Sequence, residues 1–298
     1  MKKILLAFGL YTMLVVPTFA QDTIQVWKRG FNMNVNVSQV GLSNWAGGGE
    51  DALSAVVLST MFANYQKDKL SWGNQLDLGF GLFKQGADPD FYKSDDKIIF
   101  GSKLSRAFKE HWFTTFLVDF RTQFAPGHTY EKDANGEKTG TLISNFMAPG
   151  YLIVSPGLEY RYKDNFYAIL SPITGKFTFV LDDKLSALGA FGVPIGSKFR
   201  DEYGAYFTAG VKKDIRANIN LGSKLSLFTD YATFGNIDVN WEATLMMKVT
   251  KHITTSISTQ LLYDDDIDIK RSNGTLGPAT QFKEVINVGL LYQFGDKI

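Results

Sequence analysis

Three carboxylates near the C-terminus, Asp264, Asp266 and Asp268, have the residue types and spacing of a cation site. Oxygen ligands of this kind bind Ca²⁺ or Mg²⁺. The D-x-D-x-D pattern resembles the start of a calcium loop, but Ile269 and Thr275 stand where such a loop needs glycine and glutamate. These residues are therefore candidates only for a looser divalent site, such as one bridging to lipopolysaccharide phosphates. A solvated acidic loop is the alternative.

Charged residues also recur on the polar side of segments in which apolar and polar residues alternate. Five are acidic and five are basic: Asp77, Asp119, Glu159, Asp230 and Glu242, with Lys103, Arg121, Arg161, Lys212 and Lys248. A strongly ion-selective pore would carry one sign in excess at its constriction. Matched charges instead predict a network of internal ion pairs, because unpaired buried charges are costly. The sequence leaves two alternatives: a narrow or gated channel, or a barrel whose interior is closed.

Catalytic signatures are sparse in this sequence. His111 and His252 fall at predicted short turns, and His128 falls in a long connection. No G-x-S-x-G, H-E-x-x-H or nucleotide-binding pattern occurs, and Gly175-Lys176 lacks the flanking residues of a phosphate loop. We predict no enzyme and no cofactor. A lipid hydrolase using His128 near the outer interface is the alternative.

A glycine-rich segment, SNWAGGG, surrounds Trp45 in the first long connection. Three consecutive glycines allow positive φ angles and close approach of the backbone. Trp45 is therefore a candidate loop anchor or ligand platform over the mouth of the domain. The alternative is a structural loop in which the indole plugs the end of the domain.

The elements that must position these residues are strands. In FNMNVNVS, residues 31–38, apolar and polar side chains alternate, which places them on opposite faces of an extended chain. Period two also fits the later segments better than helical spacing does. The predicted strands are 31–40, 52–66, 70–84, 97–108, 111–124, 150–162, 165–179, 202–213, 223–234, 237–250, 252–264 and 281–294.

The N-terminus predicts export. Lys2 and Lys3 precede an apolar stretch, and Thr18-Phe19-Ala20 forms a small-residue cleavage site, so residues 1–20 read as a signal peptide. A membrane anchor is the alternative. Residues 21–298 then form one domain without cysteine, which excludes disulfides and thiolate metal sites. The net charge of +1 gives no reason to expect a nucleic-acid partner.

The connections between the predicted strands alternate between tight turns and long loops. This alternation, an even strand count and aromatic residues at both ends of the oily faces are typical of an outer-membrane barrel. The sequence therefore predicts an all-β fold: a closed, transmembrane, antiparallel up-and-down barrel of about twelve strands. Its oily face meets lipid and its polar face lines a lumen. A secreted β-sandwich, with the oily face inside, is the alternative.

Five motifs carry a family resemblance: SQVGLSNWAGGGED, QFAPGHTY, SNFMAPGYLIVSPGLEY, LSPITGKFTFVLDDKLSALGAFGV and LYDDDIDI with the closing LLYQF. From about Trp27 to Phe294 the chain resembles an uncharacterised family of Bacteroidetes outer-membrane proteins, a domain of unknown function. The resemblance implies an outer-membrane barrel and supplies no activity or ligand. The terminal VGLLYQF also resembles the signal that barrel-assembly machinery reads, except that Gly-Asp-Lys-Ile follows the final aromatic residue.

These observations lead to three functional hypotheses for a protein of the Gram-negative cell outer membrane. The first is a narrow channel or binding barrel for a small solute or lipid. The second is an accessory barrel that presents loops 125–149 and 180–201 to an outer-membrane protein partner. The third is the lipid-modifying enzyme. Outer-membrane lipids, lipopolysaccharide and the barrel-assembly machinery are the other expected partners.

Overall fold

The computed structural model describes residues 26–296 except 44–49, 87, 89, 133–137, 164 and 272–274. The predicted signal peptide and Trp45 lie outside the described residues. Within them, strands follow one another with little helix. The elements are β1 (Trp27–Val40), β2 (Ala52–Lys67), β3 (Leu70–Gln85), β4 (Tyr92–Lys109), β5 (Trp112–Thr122), β6 (Gly127–Lys132), β7 (Lys138–Ser144), β8 (Gly150–Tyr162), β9 (Phe166–Phe179), helix α1 (Asp183–Ala187), a 3₁₀ turn (Ala190–Gly192), β10 (Phe199–Arg216), β11 (Ile219–Asp230), β12 (Asp238–Lys248), β13 (Ile253–Tyr263), β14 (Asp268–Lys270), β15 (Leu276–Pro278) and β16 (Gln281–Gly295).

Twelve of the described strands form one closed antiparallel barrel. Its order around the ring is β1-β16-β13-β12-β11-β10-β9-β8-β5-β4-β3-β2. Closure brings the two chain ends together, because β1 pairs with β16 from Gly30↔Gly295 to Asn36↔Gly289. The remaining strands form two hairpins, β6–β7 and β14–β15, within long connections. The predicted all-β closed barrel of about twelve strands is confirmed.

The apolar and polar side chains that alternate along the strands lie on opposite sides of the barrel wall. On β5 the outward Phe116 is exposed, whereas the inward Thr115 and Asp119 are buried. On β16 the outward Val288 is 63% exposed and the inward Asn287 is buried. The oily positions therefore cover the outside of the barrel and the polar positions fill its inside. This is the inverse of a soluble sandwich, whose oily faces are buried against each other.

The two ends of the barrel differ in their connections. Short turns at residues 68–69, 110–111, 163–165, 217–218 and 249–252 mark one end, called the short-turn end below. The opposite end, the long-loop end, carries residues 41–51, 86–91, 123–149, 180–198, 231–237 and 264–280. The alternation agrees with the sequence pattern, but several predicted bounds are wrong. β4 begins at Tyr92 rather than at residue 97, and β10 spans Phe199–Arg216 rather than 202–213. β11 begins at Ile219 rather than at residue 223, because the alternation continues through Asn220 and Gly222.

Pro172 interrupts β9 without ending it. The registers of β9 with both neighbours shift at this point, between Val154 and Leu158 on β8 and between Gly204 and Tyr206 on β10. Proline lacks the N–H that a sheet ladder needs, so it is accommodated at such an irregularity. The shift reverses the parity of β9: Ser171 faces inward before it, and Lys176 faces inward after it.

The long-loop end contains its own small structures. Helix α1 begins after Asp182, whose carboxylate accepts hydrogen bonds from the backbone N–H groups of Lys184 and Leu185. Leu185 packs with Val180, Val193 and Ala148, which joins the two longest connections in one apolar cluster. No helix among the described residues has the length and apolar content needed to span a bilayer.

Candidate functional site

A charge cluster at mid-height, the central cluster, spans the barrel interior. Arg121 on β5 donates from Nε to Oδ1 of Asp119 over 2.7 Å and from Nη1 to Oε1 of Glu242 over 2.8 Å. Lys224 on β11 pairs with Oδ2 of Asp119 over 3.3 Å. Four strands separate β5 from β12 around one side of the ring, so the bond from Arg121 to Glu242 crosses the lumen. Gln260 of β13 also donates to Glu242.

A second group, the short-end cluster, surrounds one deeply buried carboxylate. Glu159 on β8 is 0% exposed, and its Oε1 lies 2.5 Å from Nζ of Lys103 on β4. Nη2 of Arg161 donates to Oε2 over 2.9 Å. The hydroxyls of Ser105 and Thr115 donate to the same oxygen over 2.8 and 3.1 Å. The carboxylate is therefore fully paired, as a buried charge must be.

A third group, the mouth cluster, lies at the long-loop end and was not predicted. Nζ of Lys176 lies 2.6 Å from Asp238, 3.3 Å from Asp264 and 3.4 Å from Glu202. Arg200 contacts Glu202 as well, over 3.3 Å, and adds Asp266 to the group through a 2.6 Å contact. Four carboxylates thus face two cations, and this end of the lumen carries an excess of negative charge. The cluster includes Lys176, Arg200, Glu202, Asp238, Asp264 and Asp266.

The structure brings together part of the predicted charge network. Asp119, Arg121 and Glu242 belong to the central cluster, and Lys103, Glu159 and Arg161 to the short-end cluster. The other four residues play different parts. Asp77 accepts hydrogen bonds from Thr60 and Gln75, Asp230 caps a turn by accepting from the N–H of Ala232, Lys212 is exposed near the short-turn end, and Lys248 ends β12 at that same end.

The acidic residues at 264–268 do not converge on a metal site. Asp264 bonds to Lys176 and Asp266 bonds to Arg200, while Asp268 pairs through its backbone with Pro278 in the β14–β15 hairpin. In the part of the chain that the structure describes, no three His, Cys, Asp or Glu side chains are grouped to hold a metal ion. The hypothesis of a looser divalent site therefore finds no support in the geometry, because two of its carboxylates serve ion pairs.

The interior is packed unevenly around its circumference. Leu117, Tyr206 and Phe228 form an apolar cluster with Ile153, on the side where the central cluster also lies. Elsewhere Val56 and Phe62 of β2 and Leu291 of β16 face inward. Between them the wall is lined by small polar side chains: Asn32, Asn34 and Asn36 on β1, Ser54 and Thr60 on β2, and Thr254, Ser256 and Ser258 on β13. This amide and hydroxyl lining is the inner face of the FNMNVNVS pattern.

Open space persists beside two inward-facing glycines. Gly101 of β4 pairs with Gln75 and Asp119, both of which face the lumen, and a Cβ at Gly101 would meet no atom within 4 Å. The same holds for Gly222 of β11, which pairs with Thr244. By contrast, the space beside Gly79 is filled by Lys97 and Leu58. The lumen is therefore narrowed by side chains without being packed throughout like a protein core.

Ion pairs also hold the loops at the mouth. Lys138 at the start of β7 donates to the carboxylate of Asp88 and, over 2.8 Å, to the hydroxyl of Tyr92. The Lys138 bond, followed by that from Tyr92, holds the pKa of Asp88 well below its usual range. A lowered carboxyl pKa contributes stability above the unfolded value of about 3.9, and that contribution is lost as the pH falls through the folded value.

His128 is the histidine of the long connections, and its ring contact among the described residues is with a tyrosine. His128 is exposed on the β6–β7 hairpin, and its ring lies 6.0 Å from that of Tyr130. His111 lies at the opposite, short-turn end beside Tyr160 and Tyr162. The proposed use of His128 in a hydrolase gains no partner from these contacts.

Removal of Lys176 is expected to destabilise the barrel in a pH-dependent way. In Lys176→Met, the carboxylates of Glu202, Asp238 and Asp264 lose their shared cation, which should cost about 3–5 kcal/mol at pH 7. The loss should shrink towards pH 4, where carboxyl groups take up protons. Urea unfolding of both proteins at pH 7 and pH 4, followed by tryptophan fluorescence, measures the difference. An equal loss at both pH values would contradict this reading.

Comparisons with known proteins add the following. Residues 37–128 match the model of a family described as "Protein of unknown function (DUF3078)". A family of unknown function, expected from the motifs, is thus confirmed over that segment, while a Bacteroidetes origin stays a prediction. No curated protein matches the chain.

Solved structures similar to the chain match it at low identity. An outer membrane channel from Pseudomonas putida F1 has 13% identity and a TM-score of 0.40, covering 90% of this chain and 96% of its own. The CymD monoaromatic hydrocarbon channel has 12% identity and a TM-score of 0.35, covering 91% and 88%. The NanC porin has 7% identity and a TM-score of 0.37, covering 88% and 98%. The function must therefore be argued from the residues of this chain.

Proposed function

We propose that this protein is an outer-membrane barrel whose narrow lumen passes or binds a small solute. The short-turn end then faces the periplasm and the long-loop end faces outward, as in barrels of this kind. The outward oily face supports a membrane location, because apolar side chains exposed all round a closed barrel need a lipid partner. The buried polar interior supports a lumen that solutes can enter.

One observation carries the proposal: the interior is crossed by ion pairs yet is open beside Gly101 and Gly222. A barrel built only as a plug would fill this space, as protein cores do. Charges that are paired across a passage narrow it and leave little net field. The excess of carboxylates in the mouth cluster disfavours anions. The geometry thus fits a neutral or cationic solute of small size.

Conductance of the purified protein in a planar bilayer tests the proposal. We expect small, steady unitary currents with weak preference for cations. Complete absence of current, together with no uptake of small uncharged solutes into protein-containing liposomes, would contradict a passage and leave a closed barrel.

Filling the open space beside Gly101 is expected to block the passage. A tryptophan at this position would project into the lumen at the level of Asp119, where a Cβ meets no neighbour. Gly101→Trp should therefore fold and lose most of its conductance. Gly41→Trp is the matched control, because Gly41 lies beyond the end of β1 and also has open space around it. Equal currents from both variants would show that the solute path avoids Gly101.

A second candidate function, that of an accessory barrel, rests on the exposed apolar residues of the loops. Leu188 and Ile195 on the connection that carries α1, and Phe146 on the neighbouring connection, are exposed although both segments share a packed cluster. Ordered apolar side chains of this kind fit a protein partner. Co-purification of a defined partner from the native membrane, lost in Leu188→Ser/Ile195→Ser and kept in Gly101→Trp, would favour this function.

A further inference from the structure

The junction of the first and last strands is paired over only part of its length. β1 and β16 pair from Gly30↔Gly295 to Asn36↔Gly289, but both strands continue towards the long-loop end. β1 runs on to Val40 paired only with β2, and β16 begins at Gln281 paired with β13. The wall therefore has a seam, formed by residues 37–40 on one side and 281–288 on the other, where the two strands do not bond to each other.

A cavity of about 300 Å³ occupies this seam. Its β1 side is formed by Asn36, Val37 and Ser38, and its β16 side by residues 283–288. Ser54 and Val56 of β2, with Ser94 and Asp95 of β4, form the inner side. The volume is at the lower end of the range for small-molecule sites. The cavity thus joins the outer surface of the barrel to its interior.

The two faces of the seam differ in polarity. Its outer rim is mainly apolar, with Val37, Ile286 and Val288 exposed on the oily face, and Glu284 lies on the same side of β16. Its inner side holds the amide of Asn36, which is only 6% exposed, and neither its nitrogen nor its oxygen has a hydrogen-bond partner among the described residues. Oδ1 of Asn34 is likewise unpaired there. Buried polar groups are normally satisfied, so the amide of Asn36, which borders the cavity, is suited to bonding a ligand.

Three further residues define the chemistry of that ligand. Gly289 lies directly opposite Asn36 on the neighbouring strand. A Cβ on residue 289 would lie 2.1 Å from Oδ1 of Asn36, so only glycine at this position avoids a clash with the amide. Lys283 at the cavity is neutralised by Asp95 over 2.8 Å. Glu284 also lines the cavity, and its carboxylate disfavours an anionic head group. Since Lys283 is paired and the group on the inner side without a partner among the described residues is the amide of Asn36, we infer a head group that is uncharged and forms hydrogen bonds.

We propose that the β1–β16 seam is a lateral portal between the lumen and the surrounding bilayer. It takes a small amphipathic molecule with one apolar tail and a neutral hydrogen-bonding head. The tail lies across Val37, Ile286 and Val288, while the head bonds to Asn36. This inference deepens the proposed passage by naming its side entrance and rests on that function. The lateral portal can be tested separately from the axial passage, because conduction along the barrel axis needs no lateral entrance.

Photolabelling in lipid nanodiscs tests the portal. The probes are decanol and decanoate, each with the same diazirine near the end of the tail. We expect decanol to label residues 36–38 and 283–288, located by peptide mass spectrometry, at least ten-fold more than decanoate does. This wild-type comparison needs no variant. Labelling spread evenly around the oily belt, or equal labelling by the two probes, would overturn the portal.

A pair of matched variants tests the role of the amide. Asn36→Leu keeps the approximate size and removes both hydrogen-bonding groups, and we expect it to lose most of the decanol labelling at the seam. Asn32→Leu is the control, because Asn32 lies on the same face of β1 within the paired part and bonds to Gln293. Undiminished labelling in Asn36→Leu would overturn the role of the amide. Planar-bilayer currents of the same samples report separately on the axial passage.

Discussion

Replacement of Arg121 by alanine is expected to raise the single-channel conductance several-fold and to shift the selectivity towards cations. Its guanidinium bridges Asp119 on β5 and Glu242 on β12, two strands on nearly opposite sides of the ring. Removing it takes away the widest side-chain bridge at mid-height. Asp119 keeps its ion pair with Lys224, and Glu242 keeps only Lys224, its partner across β11 and β12, as a nearby cation among the described residues, so two carboxylates share one positive charge. An excess of carboxylates at a constriction favours cations.

Conductance and reversal potential in a salt gradient measure the two parts of this prediction. The variant should also lose stability, by up to about 3–5 kcal/mol, because a partly buried pair loses one partner. Arg216→Ala is the control, since Arg216 is exposed at the end of β10 and the same change there should leave the current unaltered. Unchanged conductance and reversal potential in Arg121→Ala would show that the central cluster does not border the solute path.

Replacement of Glu159 by glutamine is expected to give a large loss of stability. The carboxylate has no exposed surface and accepts from Lys103, Arg161, Ser105 and Thr115. A neutral amide cannot balance two cations, and its NH₂ group faces donors instead of acceptors. Leaving buried charges unpaired costs about 3–5 kcal/mol. The free energy of unfolding in urea, followed by tryptophan fluorescence in micelles, measures this loss.

Two further variants separate the charge effect from a general disturbance. Glu110→Gln should change the free energy of unfolding by no more than about 0.5 kcal/mol, because its side chain is 87% exposed in a turn. Lys103→Met combined with Glu159→Gln should recover part of the loss, because one unpaired cation is removed with its partner. A loss in the double variant equal to the sum of the two single losses would argue against a direct pairing.

The fold was predictable because its signal repeats in every strand. In FNMNVNVS the asparagines face inward and the apolar residues face outward, and the same rule places Asp119 and Phe116 correctly on β5. Alternation with a period of two can be recognised without knowledge of distant contacts, because the position of each residue in the alternation gives the face on which its side chain lies. The even strand count and the unequal ends follow from the spacing of these segments.

Some residues and contacts of the site could not be predicted from the alternation of faces along a strand. The irregularity at Pro172 reverses the parity of β9, so counting from Tyr167 would place Lys176 outside the barrel, where it does not lie. Lys224 could have been found, since it alternates with Ser226 on the inward side of β11. Arg121 and Glu242 are far apart in sequence, and they meet because closure of the barrel brings β5 and β12 to face each other across the lumen.

The seam could not be read from the sequence for a related reason. Both β1 and β16 alternate cleanly through their unpaired parts, so each looks like an ordinary wall strand. Which residues of the first strand meet which residues of the last is fixed by closure of the whole barrel. The unpaired amide of Asn36 becomes apparent only once that register is known.

Single-cysteine labelling tests the central claim most directly, because the chain has no cysteine of its own. Cysteine is placed outward at Val57, Leu170 or Ile286 and inward at Gly101 or Gly222, where the interior has open space, and each protein is reconstituted in liposomes. A bimane label at the outward positions should be quenched by nitroxide lipids, and the inward cysteines should instead react with a charged, water-soluble thiol reagent. Lipid quenching at Gly222, or free reaction of Leu170 with the charged reagent, would contradict a barrel whose oily face meets the bilayer.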